Sequence, residues 1–77
     1  MKKIGVLGSG SWGTAMIKML TENSKNVLWY VRDKVQADQI IKTGKNPRYL
    51  KGLEIDIDKV FLSTDIKEII NKSEIII

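Results

Sequence analysis

Lys3-Ile4-Gly5-Val6-Leu7-Gly8-Ser9-Gly10-Ser11-Trp12-Gly13-Thr14-Ala15 is the stretch on which the reading of this chain turns. Residues 3–7 are short, apolar and partly β-branched, and they run straight into three glycines within six residues, so they read as a strand that ends in a glycine turn. Beyond the turn, Trp12, Ala15, Met16, Met19 and Leu20 follow the i, i+3, i+4 spacing that places them on one face of a helix. The spacing Gly8-x-Gly10-x-x-Gly13 makes different demands on each glycine. Gly8 permits the tight turn out of the strand, Gly10 lets the backbone come close to a bound group, and Gly13 lets the helix pack closely on the sheet. The N–H groups that open the helix have no partners inside it and sit at the positive end of its dipole, an arrangement suited to phosphate that requires no lysine. A strand, this glycine spacing and an amphipathic helix in succession form the dinucleotide-binding fingerprint; glycines alone would also make an ordinary tight turn.

The pattern repeats downstream. Residues 27–31 are a continuous apolar run without alternation, as expected of a parallel strand covered on both faces. Asp33 with Gln36 three residues later predicts a capped helix, Ala37, Ile40 and Ile41 its apolar stripe, and Gly44 its end. Asn46-Pro47-Arg48-Tyr49-Leu50-Lys51-Gly52 is a loop, because Pro47 lacks an N–H and restricts Asn46. Leu53, Ile55 and Ile57 alternate with acidic residues and allow a short half-exposed strand. Val60–Ser63 predicts the third main strand, Asp65 with Glu68 a second capping box, and Ile66, Ile69 and Ile70 the buried stripe of a third helix. Residues 74–77 open a fourth buried strand, on which the chain ends, so it reads as a fragment. The order β-α-β-α-β-α-β predicts an α/β, Rossmann-type doubly wound parallel sheet with strands in the order 3-2-1-4 and a ligand crevice at the carboxyl end of the first strand.

Composition narrows the chemistry. The 77 residues allow one small domain at most, and the absence of cysteine and histidine excludes disulfides, Cys/His metal sites, thiol nucleophiles and Ser-His-Asp triads within them. Thirteen basic against nine acidic residues give a net charge of +4, suited to an anionic ligand. The basic residues are scattered, and neither clustered arginines nor exposed stacking aromatics point to nucleic acid. The longest apolar run, five residues, is far short of the roughly 20 of a membrane span, and no signal-peptide core follows Lys2 and Lys3. The expectation is a cytoplasmic protein with no membrane span.

Gly8-Ser9-Gly10-Ser11-Trp12-Gly13-Thr14-Ala15 also closely resembles the G-x-G-S-W-G-T-A signature of bacterial-type NAD(P)-dependent glycerol-3-phosphate dehydrogenases. Three further stretches resemble that family in the same order: Val27-Leu28-Trp29 with Arg32-Asp33, Asn46-Pro47-Arg48-Tyr49-Leu50-x-Gly52, and Ser63-Thr64-Asp65. Lys51 stands where the family usually has proline, and Asn23-Ser24-Lys25 replaces its more usual Asn-Gly-His. The resemblance implies that residues 1–77 are the N-terminal part of an NAD(P)-binding domain, with the substrate domain and the catalytic lysine beyond Ile77. No catalytic residue is assigned in the chain. It further implies hydride transfer between NAD(P)H and dihydroxyacetone phosphate to give sn-glycerol 3-phosphate for phospholipid synthesis, with a homodimer among the assemblies left open. A regulatory NAD(H)-binding module and a different Rossmann dehydrogenase are the rival readings.

The candidate cofactor-binding residues are Gly8, Gly10, Ser11, Trp12, Gly13, Arg32, Asp33 and Tyr49. Several have a plainer role beside the functional one. Ser11 caps the first helix, faces the pyrophosphate, or does both. Trp12 packs in the core with Ala15 and Met16 or touches the cofactor. Arg32 ends the second strand, where a guanidinium can grip the 2′-phosphate of NADP, whereas Asp33 either bonds the ribose hydroxyls of NAD or caps its helix. Tyr49 covers the adenine or anchors its loop, Arg48 reads as an exposed charge, and Thr14 and Ala15 as packing residues. The balance favours NADP slightly over NAD.

Overall fold

A computed structural model describes residues 2–23 and 26–77; Ser24 and Lys25, in the expected break before the second strand, lie outside the described residues. The elements are β1 (Ile4–Leu7), α1 (Ser11–Asn23), β2 (Val27–Tyr30), α2 (Lys34–Thr43), a 3-10 turn (Ile57–Lys59), β3 (Val60–Ser63), α3 (Ile66–Lys72) and β4 (Ile75–Ile76). All strand pairs are parallel and the sheet order is β3-β2-β1-β4, as the alternation of strands and helices predicts. Ile4 pairs with Val27 and Val27 with Val60, so the three longer strands start level and end level, at Leu7, Tyr30 and Ser63. Their carboxyl ends thereby deliver the glycine turn and residues 31–33 to one edge of the sheet.

Alternation along the strands divides the core between two faces. Val6, Val27 and Trp29 point to the side of α1 and α2, where they pack with Ile17, Val31, Ala37, Ile40 and Ile55. Gly5 points to the other side, beneath α3. A Cβ there would strike the Ser73 side chain and crowd Ile69, so the missing side chain is what lets α3 lie against β1. Trp29 is fully buried, and its indole N–H donates to the Gly8 carbonyl at 2.7 Å, which satisfies the polar end of the largest core side chain and ties β2 to the glycine turn.

Several expectations from periodicity need correction. The buried face of α1 runs through Gly13, Thr14, Ile17 and Thr21, while Trp12 and Met19 are 60% and 61% exposed. Close approach of Gly13 to the Gly8 carbonyl sets the helix rotation, and a face of glycine and threonine leaves little hydrophobic signal. Ile41, Ile66 and Ile70 are exposed, with Ile40 and Ile69 the buried members of their stripes. Neighbouring helical positions lie about 100° apart, and each of these short helices buries a narrow strip. The alternating residues 53–58 form no strand: Glu54 makes one antiparallel bridge to Lys45, Ile55 is buried, and the Asp56 carboxylate accepts from the Asp58 N–H to start the 3-10 turn. Ile75, Ile76 and Ile77 are exposed, not buried, because β4 pairs with β1 on one side and has no strand on the other among the described residues. No helix among the described residues is long and apolar enough to cross a membrane.

Candidate functional site

The glycine turn leaves β1 through Gly8, whose φ of 127° is open to glycine and strained for other residues. Gly13 sits directly on the Gly8 carbonyl, and a Cβ there would collide with backbone. Gly10 is different. A Cβ at Gly10 meets nothing within 4 Å, so among the described residues no neighbouring group requires glycine there. The free space lies at the mouth of a cleft that Gly10 helps to line.

Ser11 is the first helical residue, not the cap: the Thr14 N–H donates to the Gly10 carbonyl at 2.9 Å, which puts Gly10 in the capping position. The N–H groups of Ser11, Trp12 and Gly13 come before that first bond and have no acceptor within the helix. Ser11 and Trp12 are both exposed beside the turn. Trp12 therefore lies outside the core, and its side chain is accessible from the same end of the sheet.

Behind the turn lies a buried polar network that periodicity does not reveal. Asn46, fully buried, donates through Nδ2 to the Ser9 carbonyl at 3.0 Å and to the Thr14 hydroxyl at 2.8 Å. Its Oδ1 accepts from Gln36 Nε2 at 3.0 Å and from the backbone N–H groups of Arg48 at 3.0 Å and Tyr49 at 3.4 Å. Gln36 Nε2 also donates to the Ser9 carbonyl at 3.2 Å, and the Ser9 hydroxyl donates to Gln36 Oε1 at 3.1 Å. Two amide side chains from separate segments thus clamp the glycine turn and fix the start of the 46–52 loop. Among the described residues no buried side-chain polar atom lacks a partner. The loop is closed at its base by the Lys45–Glu54 bridge and by the Ile55 N–H donating to the Gly44 carbonyl at 2.7 Å.

Asp33 caps α2 as expected, its Oδ1 accepting from the Gln36 N–H at 3.1 Å. The box is half complete, since the Gln36 side chain is committed to Ser9 and Asn46. The box at Asp65 also departs from its pattern: Asp65 accepts from the Lys67 N–H, while Glu68 accepts from the Ser63 hydroxyl at 2.8 Å. The second carboxylate oxygen of Asp33 receives Arg48 Nη2 at 2.6 Å. The Gln36 backbone N–H, and after it the Arg48 guanidinium, hold the Asp33 carboxyl below the usual carboxylate range, with desolvation opposing them. Arg48 is therefore an ion-pair partner across the cleft and not an isolated exposed charge.

Ser9, Gly10, Arg32, Asp33, Gln36, Arg48 and Tyr49 line a cleft of about 520 Å³ at the carboxyl edge of the strands. Of the residues singled out from sequence, it brings together Gly10, Arg32, Asp33 and Tyr49, with Ser11 and Trp12 on the adjoining helix start and Gly8 and Gly13 beneath the turn. Sequence reasoning missed Ser9, Gln36, Asn46 and Arg48 as parts of the site. A polar amide at each of two structurally constrained positions, the first turn of α2 and the residue before Pro47, was the available signal. A groove of about 320 Å³ at the opposite, amino edge includes Lys3, Phe61 and Lys72, but has neither the glycine turn nor an exposed helix start.

Residues 3–77 match the family described as the NAD-dependent glycerol-3-phosphate dehydrogenase N-terminus. The chain is 40% identical over 76 residues to a glycerol-3-phosphate dehydrogenase (NAD(P)+) of Thermoanaerobacter sp. (strain X514), covering 97% of this chain and 22% of that protein. It is 42% identical over 74 residues to the corresponding Pseudomonas fluorescens (strain Pf0-1) protein, covering 96% of this chain and 21% of the relative. The crystal structure of a glycerol-3-phosphate dehydrogenase from Coxiella burnetii superposes with a TM-score of 0.84 at 27% identity, over 97% of this chain and 23% of the other. The chain thus spans about a fifth of the length of these relatives. With the family match running over residues 3–77, from the first strand to the last, the chain belongs to the family of NAD-dependent glycerol-3-phosphate dehydrogenase N-termini.

Proposed function

We propose that this chain is the cofactor-binding segment of an NAD(P)-dependent glycerol-3-phosphate dehydrogenase. Residues 1–77 supply the first part of the dinucleotide-binding domain, and a later domain supplies substrate contacts and the catalytic lysine. The observation that carries this reading is the glycine turn: Gly10 has open space where its side chain would be, beside the N–H groups of Ser11, Trp12 and Gly13, which precede the first helical hydrogen bond. When bound, the nicotinamide group supplies the hydride chemistry. The residues of this chain bind and orient the dinucleotide. Ser11 and Trp12 would hold its pyrophosphate, Arg32 would take the 2′-position of its adenosine ribose, and Tyr49 would border its adenine. Arg32 is exposed, and its side chain makes no hydrogen bond or ion pair among the described residues, so its charge is available to a 2′-phosphate. This favours NADP(H) over NAD(H). The full-length enzyme, in the cytoplasm and with a homodimer as the proposed assembly, reduces dihydroxyacetone phosphate to sn-glycerol 3-phosphate for phospholipid synthesis. The test is oxidation of NADPH by the full-length protein with dihydroxyacetone phosphate. Turnover is expected; cofactor binding without turnover would favour a regulatory module.

A further inference from the structure

Asp33 and Arg48 reach the cleft from different segments, the end of β2 and the 46–52 loop, and meet at its mouth beside Arg32. Both carboxylate oxygens of Asp33 are engaged, one by the Gln36 N–H and the other by Arg48 Nη2 at 2.6 Å. A carboxylate at this place in the fold ordinarily accepts ribose hydroxyls and repels a 2′-phosphate. Here that carboxylate already holds a guanidinium. The three side chains carry two cations against one anion, so the mouth of the cleft is net positive. The base of the loop is firm, because Asn46 accepts the N–H groups of both Arg48 and Tyr49. The Arg48 side chain is 51% exposed and meets Asp33 through Nη2, which leaves the rest of its guanidinium for an incoming anion.

We infer that Arg48 is a specificity-determining residue, which masks the Asp33 carboxylate and gives the 2′-phosphate of NADP a second guanidinium beside that of Arg32. The inference rests on the proposed cofactor reading. It makes the preference a property of a pair: with Arg48 present the site reads as cationic, and without it Asp33 becomes a free acceptor for the ribose hydroxyls of NAD.

Titration of the full-length protein with NADPH and NADH at fixed ionic strength tests this, using wild type, Arg48→Met, Arg48→Lys, Asp33→Asn and the double variant Arg48→Met/Asp33→Asn. Asparagine retains the helix cap, so the Asp33→Asn background isolates the charge. Arg48→Met is expected to weaken NADPH by about 10- to 150-fold, the effect of losing one charge-assisted bond. It is expected to tighten NADH by about tenfold as Asp33 is released. In the Asp33→Asn background the NADPH loss persists and the NADH gain disappears. Lysine at 48 restores part of the NADPH affinity. Equal weakening of both cofactors by Arg48→Met, or an NADH gain that survives in the Asp33→Asn background, would overturn the inference. If wild type binds neither dinucleotide, the cofactor reading itself falls; if it binds both and the ratio ignores residue 48, only this inference falls. Circular dichroism and thermal unfolding on each variant keep a folding defect apart from a binding one.

Discussion

Two glycines of the same turn make different demands on the chain, and substitution separates them. Gly13→Ala places a methyl group against the Gly8 carbonyl, which is backbone and cannot rotate away. In the full-length protein this is expected to cost about 1–3 kcal/mol of stability, read from urea denaturation. Gly10→Val meets no atom of the described residues within 4 Å of its Cβ, so its cost is that of losing glycine from the capping position, about 1 kcal/mol. Calorimetry should nevertheless show NADPH affinity largely lost, because the branched side chain fills the space proposed for pyrophosphate. Undiminished affinity in a folded Gly10→Val protein would move the phosphate site elsewhere. The ionisation of Asp33 belongs at this scale as well. Its folded-state pKa is lowered, first by the Gln36 N–H and then by Arg48, so its contribution to stability is fully present above the ordinary carboxylate value of about 4 and is lost as pH falls through the lowered value. The stability difference between wild type and Asp33→Asn is therefore expected to be flat from about pH 5 to 8 and to shrink below about pH 4. A difference that varied between pH 6 and 8 would point to another group.

At the scale of elements, α2, the glycine turn and the 46–52 loop behave as one assembly because two side-chain amides hold them together. Asn46→Ala removes five hydrogen bonds at a fully buried position, leaving the Thr14 hydroxyl short of a donor and the Arg48 and Tyr49 N–H groups short of an acceptor. The expected cost is about 2–3 kcal/mol in the full-length protein, measured by urea denaturation, since stranded buried groups keep their desolvation penalty. An NADPH affinity lowered beyond that of Arg48→Met should accompany it, because loop and turn lose their mutual register. A loss under about 0.5 kcal/mol would mean that water replaces the amide and that the clamp is dispensable. The element boundaries were largely legible, as with the glycine turn into α1, Asp33 and Gly44 around α2, and Asp65 before α3. The second half of each expected capping box was not, because Gln36 and Glu68 found partners outside their own helices. Local sequence shows what a side chain can bond; competition from distant groups decides what it does bond.

At the scale of the whole molecule, the described residues form a four-stranded parallel sheet with a cleft at the carboxyl edge of its strands, without histidine or cysteine and with no catalytic side chain assigned. The 77 residues alone are therefore expected to show no oxidation of NADPH with dihydroxyacetone phosphate in a spectrophotometric assay, and turnover by the purified segment would refute that. The order of elements, the strand order 3-2-1-4, the glycine turn and the family resemblance were all determined by sequence, because they rest on local periodicity, on glycine's backbone freedom and on the crossover rules of parallel sheets. The tertiary structure alone decided which face of α1 is buried, that Trp12 is exposed, and that Asn46, Gln36, Ser9 and Thr14 close one network. It also decided that Arg48 pairs with Asp33, fifteen residues away. Helix rotation is set by the closest backbone approach, at Gly13, and hydrogen-bond partners are set by which segments the sheet brings together. Neither quantity is written in the spacing of any one segment.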